Sequence, residues 1–247
     1  MNVKRIKPLL SADVLKLIAI LTMLVDHIAY RFIPRTNEIY PYLRLIGKTT
    51  APIMFFFIAE GFSKTTDVKR YLKRLALFTI ISYPAFVFFK TGKFIIDKST
   101  GSWHIIKSQS VIYTLLLGLI ALIVISNEKY NIVVKVIGVI VLSILSIIGD
   151  WGLWGVLWIV AFYIFRESYV KQCIGFTAVF VARCMYYLLI RDVPIKSLSQ
   201  FLGMFIALFL IGLYNGKRNS KTKLSKWFFY IFYPLHLTIL GIIAVMV

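Results

Sequence analysis

The feature that most constrains this chain is a series of apolar runs, each up to about twenty residues long, separated by short polar and basic stretches. A helix rises about 1.5 Å per residue, so roughly twenty residues cross the hydrocarbon core of a bilayer, about 30 Å thick. A backbone in lipid must satisfy its own N–H and C=O groups, which leaves only α-helices and closed β-barrels. Barrel strands read as short segments of alternating polarity, and these runs do not alternate. The sequence therefore predicts an all-α, polytopic transmembrane helical bundle. Nine spans are expected, at 14–33, 43–62, 71–89, 110–126, 132–149, 153–165, 171–190, 197–213 and 227–247. The whole chain, 1–247, reads as a single integral membrane domain with no soluble domain at either end. Composition agrees: with 60% hydrophobic and 16% charged residues, too few charges remain to cover a soluble surface. No small-residue cleavage site follows the first run, and the run contains Asp26 and His27, so it is expected to be a retained helix. No internal repeat is visible, nor the matching pair of broken spans expected of an inverted-repeat transporter.

The formal net charge is +19. In a soluble protein that would suggest nucleic acid, but no basic face exists outside the membrane-flanking loops, and no nucleic-acid partner is expected. Most Lys and Arg instead suit loops beside anionic lipid headgroups. With a cytoplasmic N-terminus, the inner segments hold 17 Lys and Arg and the outer segments 10, which favours N-in and, for nine spans, C-out. The expected localisation is the cell membrane, multi-pass. Cys173 and Cys184 lie eleven residues apart in one run, about three helical turns, too far for a disulfide or a shared metal. There is no zinc ligand cluster, Walker loop, dinucleotide glycine fingerprint or hydrolase elbow, and no metal is expected.

Charges inside a bilayer are costly unless paired or wetted, so each needs a reason. Lys16 lies near the inner end of the first span and can snorkel. Asp26 and His27 lie together in its outer half. Adjacent helix positions point about 100° apart, so the two do not face one another directly, yet both can face a polar interior. A histidine there can act as a general base, because its ordinary pKa is near neutrality; the alternative is an interhelical hydrogen bond that only holds the bundle. His236 falls near mid-membrane in the last span, just after Pro234, which removes a backbone donor. A polar pocket and a histidine satisfied by the freed carbonyl are both open there. Glu60 ends the second span close to Arg70 and Arg74, where a salt bridge and a functional role are both open. Asp150 sits in a Gly-Asp-Trp-Gly turn and reads as a turn residue. Arg183 is mid-span and needs an anion, which Asp26 or a ligand could supply. The inner loop from Ser63 to Arg74 groups Lys64, Lys69, Arg70, Lys73 and Arg74 around Thr65 and Thr66. It is either a topology signal or a seat for the phosphates of a nucleotide-like cofactor.

Several of these stretches together resemble the TraX family of membrane proteins, named for an enzyme that acetylates the N-terminus of F-type conjugative pilin and related in pattern to the broader integral-membrane acyltransferases. The resemblance covers nearly the whole chain. It is carried by LKLIAILTMLVDH (Leu15–His27), APIMFFFIAEGF (Ala51–Phe62) with the basic stretch to Arg74, TLLLG (Thr114–Gly118), DWGLWG (Asp150–Gly155) and YPLH (Tyr233–His236). The Asp-His pair and the terminal Tyr-Pro-x-His are its specific parts. The chain departs from the pattern at Lys48, where the family often has Arg, and at Ser110, where it often has Asn; the acceptor can differ accordingly.

The resemblance implies transfer of an acetyl group from cytosolic acetyl-coenzyme A to a hydroxyl or amine at or beyond the outer face: a pilin N-terminus, a surface glycan or a lipid-linked molecule. His27, Asp26 and His236 are then the expected catalytic residues. Arg70, Lys73 and Arg74, with Glu60 and Lys48, are the expected donor-binding set. His236 is either an oxyanion donor or a second base, and direct transfer and an acetyl-histidine intermediate both remain open. The rival from another class is a proton-coupled transporter or flippase that relays protons through the same His and Asp. A non-catalytic scaffold would carry these residues at needless cost.

Overall fold

A computed structural model describes residues 9–93, 108–217 and 223–247. Among the described residues the regular structure is helical, apart from two isolated parallel bridges, Leu10 with Tyr214 and Gln109 with Gly149. The helices are α1 Ala12–Phe32, α2 Tyr40–Gly47, α3 Thr50–Lys64, α4 Val68–Thr91, α5 Val111–Ser126, α6 Ile132–Leu145, α7 Gly152–Ile164, α8 Tyr169–Leu189, α9 Ile195–Leu198, α10 Met204–Gly212 and α11 Lys223–Met246. Seven of the nine expected spans each fall on a single α-helix, and the second and eighth each cover more than one. Three segments are long and apolar enough to cross a membrane by themselves: Tyr40–Lys64, Val68–Thr91 and Tyr169–Leu189. Helix α6 adds a face of exposed Ile132, Val133, Val136, Ile137, Ile140 and Ile144. So much exposed aliphatic surface suits lipid and not water, and the chain is a membrane protein. Of the basic residues that set the expected orientation, Lys4, Arg5, Lys7, Lys98, Lys107, Arg218 and Lys221 lie outside the described residues.

The chain divides into two compact units, Met1–Met54 with Cys184–Phe229, and Phe55–Arg183 with Tyr230–Val247. The first unit is tied at its base by backbone hydrogen bonds. Leu9 and Leu10 N–H donate to the Leu213 carbonyl, and Asn215 N–H donates to that of Leu10. Ser11 caps α1 by accepting from Val14 N–H. Two of its segments are interrupted, against expectation. The second expected span breaks at Lys48 and Thr49 between α2 and α3, and the eighth is built from α9, a 3₁₀ turn (Ser199–Gly203) and α10. The two breaks meet: Thr49 Oγ1 donates to the Gly203 carbonyl at 3.2 Å, and any Cβ on Gly203 would collide with the Leu45 carbonyl. The first break has a local cause, since Pro52 in the first turn of α3 cannot donate to the Lys48 carbonyl four residues before it; the second contains no proline and is placed by the backbone approach at Gly203.

The second unit is organised around Trp158 of α7, which is fully buried. Phe55 stacks on it at 6.0 Å and Phe176 at 5.4 Å, and its indole N–H donates to the Phe176 carbonyl at 3.1 Å. Lipid is as apolar as these rings, so close packing and satisfied hydrogen bonds hold such a bundle. Asp67 caps α4 by accepting from Arg70 N–H, and Gly92 ends it in the left-handed conformation. Helix α11 runs beside α4 in the same direction, with Tyr230 against Phe78 and Gly241 against Phe88.

Candidate functional site

In the first unit Asp26 is the centre of a buried ionic corner. Arg44 of α2 reaches its Oδ2 at 2.8 Å and donates to its backbone carbonyl at 3.3 Å. Lys48, itself buried, lies 3.5 Å from the same oxygen. The α1 and α2 backbones approach so closely that a Cβ on Gly47 would overlap the Asp26 side chain. Asp26 Oδ1 is buried and has no hydrogen bond. Arg44 also lies over the Tyr30 ring and Lys48 over the Phe201 ring. One turn or so below, Thr22 and Thr50 share a 2.8 Å hydrogen bond, and Thr50 donates to the Ala19 carbonyl. His27 is half-buried next to this corner. Arg44 and Lys48 are thus cationic partners of Asp26 that the sequence had not offered it. Arg183 is buried in the second unit.

The basic loop separates into outward and inward members. Arg70 is 77% exposed and pairs with Asp67 at 3.2 Å; Lys73 is exposed as well. Arg74 turns inward: it lies over the Tyr71 ring at 5.7 Å and hydrogen-bonds the Tyr230 hydroxyl. Its Nε is buried without a partner. Glu60 pairs with Lys64 and not with Arg70 or Arg74, because the i,i+4 spacing on α3 puts Lys64 directly over it.

Helix α11 carries the remaining histidine. His236 is buried, and its Nδ1 lies 2.8 Å from the Phe232 carbonyl. A carbonyl only accepts, so Nδ1 carries the proton and Nε2 is the basic nitrogen. The carbonyl used belongs to Phe232. The one that Pro234 leaves without its helical donor is that of Tyr230, four residues before it. The His236 ring stacks on Phe232 at 4.8 Å and meets Tyr233 edge-on at 5.6 Å. The Tyr233 hydroxyl sits at the N-terminus of α5, facing Val111 N–H and the Ser110 side chain. Asp150 lies near it, held in its turn and 3.9 Å from Lys90. Neither Cys173 nor Cys184 is in a disulfide, and no group of three or more His, Cys, Asp or Glu that could hold a metal occurs among the described residues.

A family model described as TraX protein matches residues 11–244. The chain belongs to the TraX family. A protein named "Probable fimbrial assembly protein FimC, serogroup H1", from Dichelobacter nodosus, is 28% identical over 239 residues, covering 93% of this chain and 94% of that one. No solved structure matches. The TraX stretches quoted from the sequence now have positions. The first holds Asp26, the second carries Glu60 near its end, TLLLG begins at Thr114 packed on the DWGLWG turn, and YPLH places Tyr233 and His236. Sequence reasoning counted Arg44 only as a loop charge and missed Gly47 and Tyr230. The signal was present for the first two: Arg44 and Lys48 are four residues apart on a short helix with glycine between, the spacing that aims two cations at one partner.

Proposed function

We propose that this TraX protein moves an acetyl group from cytosolic acetyl-coenzyme A to an acceptor at the outer face, and that it acts as one membrane domain of nine spans with its N-terminus inside. The observation that carries the reading is Asp26 pinned by Arg44 and Lys48 beside His27. A carboxylate fixed by two cations within apolar helices is costly, and it keeps a negative charge next to a candidate base. The relative's name favours a fimbrial subunit as acceptor, and the activity for which the TraX family is named favours its N-terminal amine; glycan and lipid-linked hydroxyls are the other candidates. Exposed Arg70 and Lys73 would meet the donor's phosphates, and Arg74, braced by two tyrosines, would lie behind them. Glu60 would orient this loop through Lys64.

In the reaction the acceptor nitrogen attacks the thioester carbonyl carbon and forms the new C–N bond. The C–S bond breaks with its electron pair going to sulfur. His27 takes the proton from the acceptor and returns it to the thiolate, giving the acetylated amine and coenzyme A. The test is mass spectrometry of surface proteins, glycans and lipids from cells with and without the chain. A single acetyl group lost with the chain is expected; identical profiles would reject the reading.

The two interrupted segments that meet at Thr49 and Gly203 favour a second reading, because transporters build substrate sites from broken helices. Purified protein in proteoliposomes separates the two: substrate-driven proton uptake without acetyl transfer would favour transport.

A further inference from the structure

The second unit holds a group of buried hydroxyls that does not belong to the ionic corner. Ser110 is the N-cap of α5 and is 1% exposed, yet its side chain caps nothing and pairs with the Tyr233 hydroxyl instead. Thr114, one turn further along the same face, is fully buried, and its Oγ1 has no hydrogen bond. It points at the DWGLWG turn, where a Cβ on Gly149 or Gly155 would collide with it. The Tyr233 hydroxyl completes the group. It accepts from Val111 N–H and shares a hydrogen bond with Ser110, so one hydroxyl proton of the Ser110–Tyr233 pair is left for another acceptor. A buried hydroxyl without a partner costs about 1–3 kcal/mol. The Thr114 proton and the one left on the Ser110–Tyr233 pair, both at the positive end of a sixteen-residue helix, mark a place prepared for an oxygen.

The charge around the group narrows what that oxygen can be. Asp150 lies close to Tyr233, only 3.9 Å from Lys90, so the region is not a net cation site. A phosphate or carboxylate would meet the Asp150 charge, whereas a neutral carbonyl oxygen would not. Donors fixed around a carbonyl also strengthen as negative charge develops on it.

Position supplies the second constraint. Tyr230, Tyr233 and His236 follow one another at three-residue steps on α11, about 4.5 Å apart along its axis. Tyr230 holds Arg74 and packs on Phe78. From Arg70 to Phe78 is eight residues, about 12 Å along α4, and Tyr233 is one turn of α11 beyond. An extended pantetheine arm covers a path of that order. We infer that Ser110, Thr114 and Tyr233 at the N-terminus of α5 hold the acyl carbonyl oxygen of the thioester donor. This rests on the acetyl-transfer reading above. When the acceptor's lone pair bonds to the carbonyl carbon, the C=O π pair moves onto this oxygen. When the C–S bond breaks, that pair re-forms the C=O bond and the sulfur keeps the C–S pair.

The test uses the full chain in lipid nanodiscs, with acetyl-coenzyme A labelled at the carbonyl carbon. Tyr233→Phe and Ser110→Ala are each expected to lower kcat by about 10², the usual effect of losing one such donor, with little change in KM for the donor. Isotope-edited infrared spectroscopy is expected to show the bound carbonyl band at lower wavenumber in the wild type than in Tyr233→Phe. Thr114→Ser, which keeps the hydroxyl, is expected to retain turnover that Thr114→Val loses. Wild-type kcat and an unshifted band in folded Tyr233→Phe and Ser110→Ala would show that the hydroxyls hold only a structural water, and would overturn the inference while leaving acetyl transfer standing. No acetyl transfer by the wild type would instead remove the underlying reading, and the inference with it.

Discussion

Removing the Arg44 guanidinium perturbs the ionic corner most directly. Arg44 sits 2.8 Å from Asp26 Oδ2, with side-chain exposures of 14% and 16%, nearer the buried regime than the surface one. At an effective dielectric of about 20, the gross attraction at that distance is about 6 kcal/mol, and that of Lys48 at 3.5 Å is about 5 kcal/mol. Most of each offsets desolvation. Breaking a buried pair typically costs about 3–5 kcal/mol because one charge is stranded. Lys48 stays in place here, so Asp26 is not stranded, and the expected loss for Arg44→Met falls to about 2–3 kcal/mol. In a cycle with Asp26→Asn, the two changes should cost less together than the sum of their separate costs, by about 2 kcal/mol. The assay is unfolding in mixed micelles as the fraction of denaturing detergent rises, followed by far-ultraviolet circular dichroism. A coupling below about 0.5 kcal/mol would refute the argument, since that is the worth of an exposed pair.

Two further outcomes rest on packing contacts and a third on the charge bias of the loops. Gly47→Ala should push α2 away from Asp26 and destabilise by about 1–3 kcal/mol, while Gly47→Ala in an Asp26→Ala background should cost markedly less; equal costs would place the clash elsewhere. Trp158→Phe should lose about 1 kcal/mol or more by the same unfolding assay, because the Phe176 carbonyl loses the indole donor; an unchanged midpoint would mean that the ring alone matters. A cysteine placed at Lys98 should react with an impermeant reagent from outside, and one at Lys221 only after permeabilisation, in a background lacking Cys173 and Cys184; the reverse pattern would invert the orientation.

The helical segments were legible because period and length act locally: apolar runs give helices wherever they lie. What was not legible depends on backbone approach between segments. The break at Lys48 and Thr49 had a local mark in Pro52, but its meeting with Gly203, more than 150 residues away and pressed on the Leu45 carbonyl, had none. Asp26 was legible as an expensive charge, and the four-residue spacing of Arg44 and Lys48 offered two cations for one partner, but only the fold of α2 back on α1 shows that the partner is Asp26. Glu60 shows the opposite error: the proposed long-range pairing with Arg70 or Arg74 yields to the i,i+4 contact with Lys64 on its own helix. Ser110 was noted only as a departure from family pattern, and its burial as an idle N-cap needs the fold.

The most direct test of the account is acetyl transfer by purified His27→Asn protein. Asparagine keeps similar size and some hydrogen bonding, so the variant should insert, purify and unfold like the wild type. It cannot take a proton near neutral pH. The measurement is transfer of label from radiolabelled acetyl-coenzyme A to a peptide carrying a pilin N-terminus, with donor binding followed by calorimetry. The account predicts turnover lower by about 10² or more with unchanged donor affinity. Transfer by folded His27→Asn at the wild-type rate would contradict it and make His27 a packing residue beside Asp26.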